Sequence, residues 1–174
     1  MTGISNFKFS VSKALGALLV VILAITAYMA VGRTKAVPAA TFVLTSGQKL
    51  TTADLRGKVY LVDFWATSCA TCIKEMPQMI QTYNRFKGAN FDFIAIAMNY
   101  DPPAYVTNYA NTRHLPFRIV TDTDGSLARR IFNVEMTPTT YLVDRNGKIL
   151  KRFHGEPDFA ALDRMISDAL TQST

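Results

Sequence analysis

Seven residues, Val59–Trp65 (VYLVDFW), are apolar, β-branched or aromatic with one exception, Asp63. Four residues after Trp65 come the chain's only two cysteines, as Cys69-Ala70-Thr71-Cys72. A near-continuous apolar run of this length suits a strand buried on both faces. Such a strand needs a covering layer on each side. The pattern then changes period. Ile73, Met76, Ile80, Tyr83 and Phe86 lie near one helical face, with Pro77 among them, so a helix with a kink at Pro77 is predicted. Both cysteines therefore stand where a buried strand gives way to a helix.

The rest of the chain alternates in the same way. Thr41–Leu44 reads as a short strand, with Ser46-Gly47 turning after it. Phe91–Met98 (FDFIAIAM) is a second buried strand, and Pro102-Pro103 can open a helix to Thr112. Phe117–Val120 is a short strand. Asp122-Thr123-Asp124-Gly125 is a turn that lacks the ligand series of a calcium loop, and Ser126 is placed to cap a helix to Phe132. Thr139–Val143 and Lys148–His154 flank Asp144-Arg145-Asn146-Gly147, a strong hairpin signal. Pro157–Leu170 has a helical apolar face. The predicted class is α/β, a mixed sheet with helices on both faces.

Ahead of this lies Ala14–Val31, 18 residues without a charge. As a helix the run reaches roughly 27 Å, close to the thickness of a bilayer's hydrocarbon core. It is longer than the usual h-region of a secretory signal, so a retained single-pass anchor is expected rather than a cleaved leader. The expected organisation is a flank at 1–13, an anchor at 14–32, a linker at 33–40 and one folded domain at 41–174. Lys8 and Lys13 on one side of the run, and Arg33 and Lys35 on the other, leave its orientation open. These four residues also account for most of the formal charge of +6. Beyond them 15 basic residues face 13 acidic ones, which argues against a nucleic-acid partner.

The cysteine pair is the chemical centre. Unpaired N–H groups and the dipole at a helix start stabilise a thiolate, so Cys69 is expected to be the exposed nucleophile. Cys72, three residues on, shares its side of the helix and can resolve a mixed disulfide. A purely structural disulfide closing so small a loop would add little by chain entropy. Two thiolates are too few for a closed zinc site, and His114 and His154 offer no ligand spacing, so no metal site is assigned; Cu(I) binding by the pair stays open. Glu75 follows Cys72 by three residues on the same face. A shielded carboxyl there would have a raised pKa and could exchange protons with a cysteine. Asp63, inside an apolar strand, must be protonated, partnered or wetted.

The stretch Leu61-Val62-Asp63-Phe64-Trp65-Ala66-Thr67-Ser68-Cys69-Ala70-Thr71-Cys72 resembles a thioredoxin-family active site. Cys69-x-x-Cys72-x-x-Glu75-x-Pro77, followed by Thr137-Pro138-Thr139-Thr140-Tyr141-Leu142-Val143, resembles more specifically the membrane-anchored TlpA/ResA-like branch. The resemblance covers about residues 41–170, including a central insertion at roughly 91–132. It implies a thioredoxin-like fold and dithiol–disulfide exchange on the extracytoplasmic, periplasmic side of a bacterial cytoplasmic membrane, in the reducing direction; no flavin, nicotinamide or haem site is read in the sequence, so no cofactor is expected. It implies that Glu75 passes protons to a cysteine, that Asp63 relays protons for Cys72, and that Thr137-Pro138 is a cis peptide facing the pair. Trp65 and Met136 are candidates to line the same docking surface, with core packing an equal alternative for Trp65. Implied partners are protein disulfides, such as those of apocytochrome c or copper-site proteins, and a membrane thiol donor of the DsbD or CcdA type. The chain departs from the family at Ser68, commonly Trp, and at Thr71, commonly Pro. Two rival functions are a thiol peroxidase and a Cu(I)-binding module. Against the first, no Pro-x-x-x-Thr-x-x-Cys pattern leads to either cysteine.

Overall fold

The computed structural model describes residues 15–26 and 36–172. The chain divides into two units, 1–35 and Ala36–Thr174. In the first, residues 15–26 form a helix (α1) whose Leu18, Leu19 and Ile22 are exposed. The expected flank at 1–13 and the two ends of the expected anchor at 14–32 lie outside the described residues. Among those described, no helix is long and apolar enough to cross a membrane.

The second unit is built on β3 (Val59–Trp65), every residue of which is buried. It follows a small hairpin, β1 (Thr41–Val43) paired antiparallel with β2 (Lys49–Thr51). Then come α2 (Ala70–Phe86), β4 (Phe91–Ala97), α3 (Pro103–Thr112) and β5 (Arg118–Thr121). β6 (Thr139–Val143), β7 (Ile149–His154) and α4 (Phe159–Thr171) complete it. The five-stranded sheet has the order β5-β4-β3-β6-β7. β3–β4 and β4–β5 are parallel, and β3–β6 and β6–β7 antiparallel. Parallel neighbours need a crossover, which α2 and α3 supply; the antiparallel pair β6–β7 needs only the turn at Asp144–Gly147. In that turn the Asp144 carboxylate accepts from Asn146 N at 2.9 Å and Lys148 N at 2.8 Å, and Gly147 takes φ +74°.

Side chains of β3 alternate between two cores. Tyr60, Val62 and Phe64 join Ile94 and Ile96 on one face, while Val59, Leu61 and Trp65 join Phe93, Ala95 and Ala97 on the other. The second face carries all three α-helices of the unit, through Met76 and Met79 of α2, Val106 of α3, and Leu162 and Ile166 of α4. The first face is covered by Phe42, Leu44 and Leu55, and by Leu127, Ala128 and Phe132 around one π-helical turn, Leu127–Ile131. The expectation of helices on both faces is corrected in this respect: one face holds the α-helices, the other a hairpin and a single π turn.

One local expectation also changes. The turn at 127–131 is not capped by the Ser126 side chain. The buried Asp122 carboxylate accepts from Leu127 N at 3.1 Å and Ala128 N at 2.8 Å, two bonds where a single hydroxyl at Ser126 could offer one. α2 runs continuously through Pro77 to Phe86. Just past it, Gly88 at φ +90° turns the chain toward β4.

Ala36 bridges Lys148, and Val37 N donates to Gly147 O at 2.8 Å, so the chain enters this unit beside the β6–β7 turn. Val143, just before that turn, pairs with Tyr60 at the start of β3. The entry point is thus at the opposite end of the central strand from Cys69.

Candidate active site

Cys69 sits in the short loop between the central strand and α2. It is the N-cap of α2, with extended backbone at φ −90° and ψ 106°. Its Sγ accepts from Cys72 N at 3.2 Å, so one otherwise orphaned helix N–H points at the sulfur. Cys69 and Cys72 are joined in a disulfide. Their exposure is unequal. Cys69 is half-buried between the exposed Ser68 and Ala70, whereas Cys72 is fully buried, part of the core that α2 closes over the sheet. An incoming thiolate or disulfide can therefore meet Cys69 only.

Glu75 lies one turn beyond Cys72 on the buried side of α2. It is 1% exposed, and neither carboxyl oxygen has a hydrogen-bond partner. Burial, then the charge of Asp63, then that of Glu156 push its pKa up to about 8. Asp63 points to the same helix-covered face of β3. The register sets it opposite Thr140, whose hydroxyl donates to Asp63 Oδ1 at 2.9 Å. That bond only partly offsets burial, which pushes the Asp63 pKa up to about 7. Two interacting buried carboxyls near the disulfide thus hold protons around neutral pH and release them in two coupled steps.

The second wall follows from the register of β6. Thr139 pairs with Phe64, so continuing the ladder brings Pro138 alongside Trp65 and Thr137 alongside Ala66. Cys69 N in turn donates to Ala66 O at 3.2 Å. The Thr137–Pro138 peptide is cis. Thr139 Oγ1 donates to Met136 O at 2.7 Å, and Gly155 N to Pro138 O at 2.9 Å, which fixes the segment on both sides. Met136 is exposed beside it. Trp65 is not: it is fully buried and packs on Tyr109, ring centroids 5.4 Å apart. Of the two places open to Trp65, docking surface or core, it takes the core. The alternation of β3 puts its side chain on the helix-covered face, against Tyr109 of α3.

Three contributors escaped the reading of the sequence. Thr140 is the partner of Asp63. Asp101 accepts from Thr67 N at 2.6 Å and from Thr67 Oγ1 at 2.5 Å. Tyr100 shares a hydrogen bond of 3.2 Å with Thr137 Oγ1. The signal for the last two was positional. They follow the end of β4, and in sheets with parallel strands functional groups gather at the carboxyl ends of those strands.

The sequence profile of the redoxin family matches residues 31–166, most of the chain. The chain belongs to the redoxin family. This redoxin is similar to the thiol-disulfide oxidoreductase ResA of Bacillus subtilis (strain 168), at 34% identity over 112 residues, 63% of this chain and 62% of that one. It is also similar to the ResA of Bacillus thuringiensis subsp. konkukian (strain 97-27), at 32% identity over 117 residues, 66% of each chain. These matches span just under two thirds of the relatives' length. The crystal structure of a thioredoxin family protein from Chlorobium tepidum TLS superposes with a TM-score of 0.69 at 27% identity, over 80% of this chain and 98% of that one. The fold of the redoxin is therefore thioredoxin-like. Among its described residues, no group of three or more His, Cys, Asp and Glu side chains is placed to hold a metal ion. What the arrangement provides is one accessible sulfur, one sealed sulfur and a proton-holding carboxyl one turn away from the latter.

Proposed function

We propose that this redoxin is a thiol–disulfide oxidoreductase that reduces protein disulfides. The observation that carries the reading is the isolated Glu75 carboxyl, one helical turn after the sealed Cys72. In the reduced protein the Cys69 thiolate attacks a substrate disulfide and expels one substrate thiolate. A mixed disulfide forms. Cys72 then attacks Cys69 Sγ, which releases the second substrate sulfur and re-forms the Cys69–Cys72 bond. Two electrons pass from the pair to the substrate, whose two thiolates take up protons. The proton leaving the Cys72 thiol has no direct route to water, because that sulfur is buried. The minor fraction of Glu75 that is ionised below its pKa of about 8 takes it up and returns to the neutral form that burial favours. Asp63 serves as a second proton store behind it.

The oxidised pair must be reduced again by a separate dithiol, and the family resemblance supports a membrane carrier of the DsbD or CcdA type. The same resemblance, with relatives named ResA, supports cysteines of apocytochrome c or of copper-site proteins as substrates. The apolar run at 14–31 supports tethering to a bacterial cytoplasmic membrane with the domain on the periplasmic side. A tether raises the local concentration beside a membrane donor. The test is reduction of a disulfide-bonded peptide by the reduced full chain, together with Cys72→Ser. The wild type should reduce the peptide, and the variant should accumulate a mixed disulfide through Cys69. Absence of both reactions overturns the proposal.

A further inference from the structure

The loop that carries Cys69 leaves the sheet at Trp65, and a short segment after β4 holds it. Met98 N donates to Trp65 O at 3.0 Å, which extends the β3–β4 ladder by one step. Asp101 N then donates to Met98 O at 3.0 Å and closes a turn. The turn sends two consecutive side chains in different directions. Asp101 goes inward: its carboxylate is 2% exposed and spends both oxygens on Thr67, at 2.6 Å to the backbone N and 2.5 Å to Oγ1. Tyr100 goes outward: it is 56% exposed, and its hydroxyl meets Thr137 Oγ1 at 3.2 Å. Thr67 is two residues before the nucleophile, and Thr137 is the residue before the cis-proline.

We infer that Tyr100 and Asp101 act as a clamp that holds the nucleophile loop and the cis-proline segment in register for exchange, a role that rests on the reading above. Asp101 is the positioning residue for Cys69. The loop between Trp65 and α2 has no ladder of its own. The two bonds from Asp101 therefore set where the N-cap sulfur stands relative to an attacking or leaving sulfur. Displacements of about 1 Å at a reacting atom can cost on the order of a hundredfold in rate. Pro102 and Pro103 follow at once and fix the backbone on the far side of the clamp. Tyr100 acts on the other wall. Its hydroxyl ties the Thr137 side chain, and its ring, exposed beside Met136 and Thr137, offers an apolar surface to an extended polypeptide lying along the cis-proline segment. The substrate class this favours is a disulfide within a peptide chain rather than a small free disulfide.

The test uses the reduced full chain and two oxidants, the small aromatic disulfide DTNB and a disulfide-bonded peptide, under conditions where circular dichroism shows each variant folded. Asp101→Ala removes both bonds to Thr67 and should slow both reactions at least tenfold. Asp101→Asn keeps an acceptor for Thr67 N and a polar partner for its hydroxyl, and should recover to within about threefold of wild type. Tyr100→Phe should raise KM for the peptide several-fold more than it changes the DTNB rate. An Asp101→Ala protein that is folded and within twofold of wild type overturns the clamp. So does an Asp101→Asn protein as slow as Asp101→Ala, because charge rather than placement would then be the cause. A Tyr100→Phe protein with unchanged peptide KM removes Tyr100 from the clamp. Should Asp101→Ala fail to fold, Thr67→Val deletes the hydroxyl bond alone and should cost about threefold or more; no loss overturns the role of the bond. A wild type inert toward both disulfides defeats the parent reading instead.

Discussion

Replacing Glu75 by Gln should make the oxidised protein more stable, and increasingly so as pH rises. In the folded chain Glu75 keeps its proton up to about pH 8, whereas the unfolded chain releases it near the ordinary value of 4.5. Between those limits the folded state binds more protons than the unfolded state. Stability therefore falls with pH, by about 1.4 kcal/mol per unit for a single group. From pH 5 to pH 8 the wild type loses about 3–4 kcal/mol through this one carboxyl. Glutamine does not titrate, and its buried amide replaces a protonated carboxyl of nearly the same shape. At pH 5 the two proteins should agree to within about 1 kcal/mol, since each then buries a neutral polar group without a partner. At pH 8 the variant should be ahead by about 3–4 kcal/mol, a large fraction of a normal domain's stability. Guanidinium unfolding of the disulfide-bonded forms at pH 5, 6, 7 and 8 measures it, with the single, fully buried Trp65 as fluorescent reporter. A stability difference that stays constant across the series would refute the claim that Glu75 is held neutral in the folded protein.

The Asp63 charge is the second cause of the high Glu75 pKa, so Asp63→Asn should move the Glu75 carboxyl titration downward, followed by carbon NMR; an unmoved titration contradicts the coupling. Asp122→Ala orphans the N–H groups of Leu127 and Ala128 and should cost about 2–4 kcal/mol in urea unfolding. Tyr141→Phe removes a buried hydroxyl that donates to Phe132 O at 2.6 Å, leaves that carbonyl unpaired, and should cost about 1–3 kcal/mol in the same assay.

What could be read in the residues, and what could not, divides on physical grounds. β3 and β4 were legible because strands buried on both faces carry almost no polar residues, and Asp63 stood out by breaking that rule. The placement of Glu75 beside Cys72 followed from a three-residue helical offset. Its isolation did not, because it depends on which other chains close over α2. β2 was missed because Lys49-Leu50-Thr51 is three residues long, exposed or half-buried throughout, and paired only with an equally short β1. The π turn was read as a helix capped by Ser126, because a neighbouring hydroxyl is the local choice; Asp122, four residues upstream, wins by being buried and charged. Trp65 could be placed at the surface or in the core from sequence alone, and only the strand's alternation against α3 decided it. The bond between Asp101 and Thr67 joins residues 34 apart with no periodic pattern linking them. It exists because two parallel strands end side by side.

The point at which the chain joins the domain has a mechanical consequence. Ala36 and Val37 are stitched to the β6–β7 turn, and the seven-residue β3 separates that end from the disulfide by roughly 20 Å. Any pull transmitted through the leading segment loads the hairpin strands first. The sulfurs ride on the far side, like a tool held at arm's length, remote from that load.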